Sequence, residues 1–284
     1  MAKKPGPSVR RRQLGALLRQ LRHDSGKTIK DAAEWLDIGQ SAVSKIEKAK
    51  QTIKSQTVRA LCQLYDVDTS TTETLLRLAR EANERGWWAA YRDTLPEWAR
   101  QIVGLEADAE TVWSYQAEYV PGLLQTEDYL KAITRTSAPD IPEHDLTRKA
   151  QLRRKRQELL GGEHPPQLRF YLNEAVLRRP VGGPGVMRAQ LEQLADCAGR
   201  EHIDLRVVPF AVGAHPAMAN SFVAMQFPEE DAPAFVYVEH YRGSVYQEDP
   251  GDVDHCMFMV RELDRLTVSP ADSRTMLVEA AAVL

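Results

Sequence analysis

The sixteen residues AAEWLDIGQSAVSKIE, Ala32 to Glu47, decide how the front of this chain is read. They follow Thr28, which stands before the short run Ile29 to Leu36 with Asp31 three residues on, the pattern of an N-cap whose partner returns to the first turn. That run stops at Asp37-Ile38-Gly39, and a new helix begins near Gln40 or Ser41, with Val43 and Ile46 at i and i+3 on its inward face. Two short helices joined by a tight turn make a helix-turn-helix, whose second helix can enter a major groove. Working outward, Leu14, Leu17, Leu18 and Leu21 form an apolar stripe on a preceding helix that His23 to Gly26 ends. Downstream, Val58, Leu61, Cys62 and Tyr65 repeat at i, i+3, i+4, i+7, and Ser70-x-x-Glu73 predicts a capping box before Leu75, Leu76 and Ala79. The spacing thus predicts five helices.

Charge points the same way. The 284 residues carry a net charge of −3, yet residues 1 to 60 hold 14 Lys and Arg against 5 acids, and the remainder is correspondingly acidic. A short basic module joined to a larger body of opposite sign suits contact with a polyanion. With 43% hydrophobic and 27% charged residues, 16 Gly, 16 Pro and 3 Cys, the composition excludes general disorder, a collagen-like chain and a disulfide-stapled miniprotein. No apolar run approaches the roughly 20 residues of a membrane span, and Met1 to Arg12 lacks a signal-peptide core, so a cytoplasmic location without membrane contact is expected. Cys62, Cys197 and Cys256 lie far apart without ligand spacing, and are expected as reduced, buried thiols rather than bridges or a metal site.

The segment Ala32 to Glu47 resembles the core of the Cro and phage-repressor type of helix-turn-helix proteins, the Xre type. It has a small residue at Ala33, apolar Leu36, Ile38, Val43 and Ile46, and Gln-Ser opening the recognition helix. Asp37 stands where that family most often has Gly, and Asp tolerates left-handed geometry better than most residues. Side chains near the start of the recognition helix reach base edges, so Gln40, Ser41, Ser44 and Lys45 are the candidate base readers. Gln pairs with adenine and Lys gives to guanine, while Ser is permissive. Thr28, Lys30, Lys48, Lys50, Gln51 and Lys54 are placed for phosphates, which fix register without specifying sequence. Lys3 to Arg12 reads either as a basic arm or as a tail.

Glu84-Arg85-Gly86 marks a border, after which Trp87, Trp88, Trp98 and Trp113 follow as domain-core aromatics. Trp113, Tyr115, Ala117 and Tyr119 alternate as a strand, Val120-Pro121-Gly122 turns it, and Thr126 caps a helix with Glu127 and Asp128 in its first turn. His144 to Leu160 is a charged helix whose basic run, Arg148 to Arg156, reads as a solvated face. Leu168 to Arg178, Ile203 to Phe210, Ser221 to Phe227 and Ala234 to Tyr241 are β-rich, the last two forming a hairpin, with helices near Gly185 to Ala198 and Asp252 to Leu266. The expected fold is α+β: an all-α five-helix domain over residues 1–84, then a larger α+β domain over 85–284 with a mainly antiparallel sheet.

Four phrases carry a second resemblance: YVPGLLQTEDYLKA from Tyr119, RVVPFAVGAHPAM from Arg206, SFVAMQFPEEDAPAFVYVEHYRGSVYQEDP from Ser221, and the closing LDRLTVSPADSRTML. They are similar to the domain that follows an Xre-type module in a large actinobacterial regulator family, which includes WhiJ-like developmental regulators and antitoxin-like proteins paired with a small neighbouring protein. The resemblance implies a transcription factor whose second domain receives a signal or a small protein partner encoded nearby. Double-stranded DNA is the expected partner, bound as a homodimer because one short helix reads few base pairs. Two rival readings remain, an antitoxin whose main task is to neutralise its neighbour and a DNA-tethered enzyme. Against the enzyme, Gly182-Gly183-Pro184-Gly185 lacks a following Gly-Lys-Ser/Thr, and His202, His215, His240 and His255 belong to no HExxH or GxSxG motif. No catalytic residue, cofactor or metal is expected.

Overall fold

A computed structural model describes residues 7–83, 90–91, 97–228, 234–240 and 243–284. The chain divides into two compact units, the first holding the helices from Pro7 to Ala82 and the second the sheet with the helices from Glu127 onward. The expected border at Glu84 to Gly86 lies outside the described residues, as do Trp87 and Trp88.

In the first unit, α1 (Pro7–Asp24), α2 (Ile29–Leu36), α3 (Gln40–Glu47), α4 (Ser55–Leu64) and α5 (Thr69–Ala82) close around Leu14, Leu18, Val43, Ile46, Ile53, Val58, Leu61, Cys62 and Leu75. The stripe read on α1 narrows, since Leu17 is 37% exposed while Leu14 and Leu18 are fully buried. The capping box expected at Ser70 does not form. Asp68 caps α5, accepting from the Thr71 N–H at 2.9 Å and the Thr71 hydroxyl at 2.6 Å, so the helix begins earlier and Ser70 falls inside its first turn.

The second unit is built on one six-stranded sheet of β1 (Thr111–Gln116), β2 (Gln167–Asn173), β3 (Ile203–Val208), β4 (Phe222–Gln226), β5 (Phe235–His240) and β6 (Gly243–Gln247). The order β3-β2-β1-β4-β5-β6 combines three antiparallel pairings with two parallel ones, β1 with β2 and β2 with β3. Parallel neighbours require crossovers. These are α7 (Glu127–Ser137) with α8 (Glu143–Gln157), then α9 (Glu174–Arg178) with α10 (Pro184–Cys197). Helices α11 (Pro250–Leu266) and α12 (Pro270–Ala282) complete this unit, while α6 (Glu97–Asp108) is divided, Val103–Asp108 belonging to the first unit.

Alternation sets the faces. Trp113, Tyr115 and Ala117 point to the side where Phe222, Ala224 and Val236 meet Cys256, Val260 and Leu263 of α11. Asp264 of α11 is clamped there by the Arg169 guanidinium at 3.0 Å and the Tyr171 hydroxyl at 2.8 Å, while Asp204 receives both Arg169 and Arg206. Burial, added to this carboxylate partner, pushes the Tyr171 hydroxyl far above its ordinary range. The outer edge of β3 is closed by the last helices: Val268 N–H donates to the Val207 carbonyl, and Val207 N–H donates to the Ser273 hydroxyl at 2.9 Å.

Three readings need correction. The strand expected over Leu168 to Arg178 ends at Asn173, whose side chain accepts from the Ala175 N–H and opens α9. Phe210 likewise leaves its strand for a 3-10 turn, Phe210–Val212. Helix α12 and strand β6 were not anticipated, α12 because its small and polar residues give little apolar periodicity, and β6 because five residues are too few to carry a pattern. The three cysteines are free and buried.

Candidate nucleic-acid interface

Local chemistry shapes the α2-turn-α3 pair. Thr28 caps α2 in a complete capping box: its hydroxyl accepts from the Asp31 N–H at 3.1 Å, and its own N–H donates to the Asp31 carboxylate at 2.7 Å. Those bonds, with Lys27 and Lys30 nearby, hold the Asp31 carboxyl below the usual carboxylate range. At the other end, Asp37 adopts φ 53 and ψ 47, the left-handed cap, and its N–H returns to α2 carbonyls. The turn that Gly usually makes in such modules is therefore made here by Asp, at a steric penalty of about 1 kcal/mol.

Helix α3 is anchored from below. Val43 is fully buried and Ile46 nearly so, as their spacing requires. The close approach of α1 is set by Gly15, where a Cβ would fall 2.6 Å from the Glu47 carbonyl oxygen. An ion pair that the charge count alone does not reveal fixes the end of the helix. Arg22 of α1 grips Glu47 through Nε at 2.6 Å and Nη2 at 3.0 Å, with both side chains almost fully buried, and Nη1 also donates to the Lys27 carbonyl at 3.1 Å. Glu47 in return strengthens the hold of Arg22 on its proton. One arginine thus ties together α1, the turn into α2, and the recognition helix.

The candidate base readers lie on this helix. Gln40, Ser41 and Lys45 are exposed, and Ser44 is half-buried on the same helix. Of the candidate phosphate contacts, Lys48, Lys50 and Lys54 are exposed beyond the C-terminal end of α3 and at the start of α4, with Gln51 half-buried between them. Lys30 is exposed and lies 3.8 Å from Glu34, a long i,i+4 pair between two exposed side chains. Thr28 differs from the rest. Its hydroxyl hydrogen goes to Asp31 at 2.8 Å, so contact with a phosphate requires breaking the cap, beside an ionised carboxylate.

The basic run Arg10-Arg11-Arg12 is not an arm. It lies within α1, where Arg10 pairs with Glu81 at 3.1 Å, Arg11 donates to the Ala82 carbonyl at 2.9 Å, and Arg12 is buried. Lys3 and Lys4 lie outside the described residues. Part of the positive charge counted in the sequence therefore fastens α1 to α5.

Three histidines of the second unit have settings of their own. Nε2 of His215 meets the Tyr115 hydroxyl at 3.4 Å with the rings edge-on, its Nδ1 is buried without a partner, and its imidazole is held below the usual range by burial. His255 stacks on Phe258, and His202 keeps an unpartnered, buried Nε2. Among the described residues no group of three or more His, Cys, Asp or Glu is arranged to hold a metal ion, and no helix is long and apolar enough to cross a membrane. Gly182 and Gly183 take φ of 73 and 88 to turn the chain into α10, with Gly182 packed against Ala132 and Val186.

A model described as a helix-turn-helix domain matches residues 13–75, and one described as a domain of unknown function (DUF5753) matches residues 99–279. No curated protein and no solved structure matches the chain.

Proposed function

Since the chain belongs to the DUF5753 family and carries a DNA-binding helix-turn-helix ahead of that domain, we propose that it is a sequence-specific transcriptional regulator whose second unit receives the regulatory input. In this reading it works in the cytoplasm as a homodimer on two half-sites. Its relatives by resemblance are the WhiJ-like regulators and the antitoxin-like proteins with a small protein partner encoded nearby. The observation that carries it is the anchored recognition helix: α3 is pinned through Val43, Ile46 and Glu47 while Gln40, Ser41 and Lys45 are left to the solvent. Preorganisation of that kind suits readout of base edges. We assign no catalysis to the second unit.

Alanine at Gln40 or at Lys45 is expected to lower specific affinity by roughly 1 to 3 kcal/mol each while leaving nonspecific binding nearly intact. Binding of the full chain to its operator, identified by mapping bound genomic fragments, and to a random duplex measures both. Equal losses on the two duplexes would move the residues to the phosphate class. Lys48→Ala and Lys50→Ala should instead weaken both duplexes and reduce the salt slope by about one unit per phosphate contact removed. Slopes unchanged in both variants would overturn the proposed orientation on DNA. Recovery of a chain that binds its small neighbour but no duplex would favour the antitoxin reading.

A further inference from the structure

The strand order places the carboxyl ends of β1, β2 and β3 side by side, and β4 lies on the far side of β1 from β3. The connection from β3 to β4 must therefore cross those ends as a strap. Residues 209–221, PFAVGAHPAMANS, make this connection without one Asp, Glu, Lys or Arg, and His215 is the titratable residue in it. Connections of such length inside a compact unit are associated with lids and binding loops.

Little apolar surface holds the strap down. Its two largest apolar side chains, Phe210 and Met218, are 57% and 61% exposed, whereas the small Ala217 is buried and Val212 partly so. The ends are fastened by single hydrogen bonds: the Phe210 N–H donates to the Glu174 carboxylate at 2.9 Å, and the Ser221 hydroxyl accepts from the Ala117 N–H at 3.1 Å. Between them a 3-10 turn ends on Gly213 at φ 67, and the Met218 N–H returns to the His215 carbonyl at 3.3 Å. His215 reaches inward from this middle stretch.

Its ring stands edge-on to Tyr115 with centroids 5.5 Å apart, and Nε2 lies 3.4 Å from the Tyr115 hydroxyl. Tyr115 is fully enclosed and is also bonded by the Asn173 side chain at the end of β2. The other ring nitrogen, Nδ1, is buried and has no hydrogen-bond partner among the described residues. A neutral imidazole suits this setting, with one nitrogen on the hydroxyl and the other a bare lone pair. An imidazolium does not, because both nitrogens then donate and Nδ1–H is left buried without an acceptor. The ionisable groups around it are already engaged: Glu174 with Arg178 and the Phe210 N–H, Glu118 with Arg179, and Tyr171 with Asp264. On α11, Asp252, Asp254 and His255 are exposed, and the buried Cys256 thiol is pushed up to about 12 and stays neutral. Burial accordingly lowers the proton affinity of His215.

We propose that the β3-to-β4 connection is a strap latched by neutral His215 on Tyr115, that uptake of a proton by the ring releases it, and that acidification is thereby an input to the second unit. A ring that holds its proton less firmly when docked than when free favours the docked strap fully above the free-ring pKa of about 6.5. That advantage is lost progressively as pH falls below this value toward the lowered one. The inference rests on the reading of the second unit as the one that receives the regulatory input.

The test follows hydrogen exchange of the strap amides in the full chain, corrected for the intrinsic pH dependence of exchange, together with an NMR titration of the His215 ring. Protection of residues 209–221 should fall by about fivefold or more between about pH 7.5 and about pH 5.5, with the ring titrating below about 6.5. His215→Phe keeps a ring and removes the proton site, so its strap should respond to pH by less than about twofold; His215→Gln serves if that variant does not fold. Glu174→Gln retains an acceptor for the Phe210 N–H and should leave the response in place. Operator affinity should change by about threefold or more over the same interval in the native chain and not in the His215 variant. Titration of His215 at or above 6.5, constant protection, an equal fall in both His215 variants, or constant operator affinity while the strap opens would overturn the proposal. A strap that ignores pH in a chain that binds its operator removes the latch and leaves the regulator. A strap that opens with acid in a chain that binds no operator removes the regulator and leaves the latch.

Discussion

Replacing Glu47 by Ala will lower the stability of the first unit by about 3 to 5 kcal/mol, the range for breaking a buried ion pair from one side. The charge of Arg22 is then left in a pocket from which water is excluded, where its Nε and Nη2 had both been given to the carboxylate. Arg22→Ala should do comparable damage and in addition release the Lys27 carbonyl. Removing both charges together, as Arg22→Met with Glu47→Leu, should restore much of the loss, because no uncompensated charge remains. The exposed pair Lys30 with Glu34 supplies the contrast: alanine at either position should change stability by no more than about 0.5 kcal/mol. Denaturant titration of the full chain, following the transition of the helical unit, measures all of these. A loss below about 1 kcal/mol for Glu47→Ala would mean that Arg22 finds water or another acceptor. Operator binding should fall with stability in the single variants, since the freed end of α3 no longer holds Gln40 and Lys45 in register.

Gln190→Ala is expected to destabilise the second unit by about 2 to 4 kcal/mol, the penalty of stranding two backbone groups away from water. The Gln190 side chain is fully buried in α10, accepts from the Thr126 N–H at 2.7 Å and donates to the Leu124 carbonyl at 2.8 Å. It therefore satisfies both sides of the turn that leads from β1 into α7. Gln193 also donates to the Leu124 carbonyl at 3.0 Å, so Gln193→Ala should have the smaller effect. Gln190→Glu is the discriminating variant: the acceptor for Thr126 survives, an acid is buried, and a donor to Leu124 remains only while that acid keeps its proton. Its stability should fall as pH rises through the raised carboxyl pKa, because the folded chain then holds the proton more tightly than the unfolded one. Thermal melts at acid and neutral pH read this, and a pH-independent result would show that the site is wet.

Local signals were sufficient where a short segment carries its own boundary chemistry. Thr28 with Asp31, Thr126 ahead of Glu127, and Val43 with Ile46 all act within four residues, so the helices of the DNA-binding module and the start of α7 were legible from order and spacing alone. The exposed lysines around α3 followed from the same periodicity. What the sequence could not decide was the use of each charge. Arg22 differs in no local respect from Arg19, yet one is buried against Glu47, 25 residues away, and the other belongs to the surface. Arg10 and Arg11 read like a basic arm until α5 supplies Glu81 and the Ala82 carbonyl. Along α8 every basic residue looks alike, and only the sheet beneath, with the absent side chain at Gly122, separates Arg153 and Arg156 from Arg154 and Lys155. The physical reason is range. Caps and amphipathic periods are set by neighbours along the chain, whereas the fate of a charge is set by dielectric and by partners that folding brings from far away.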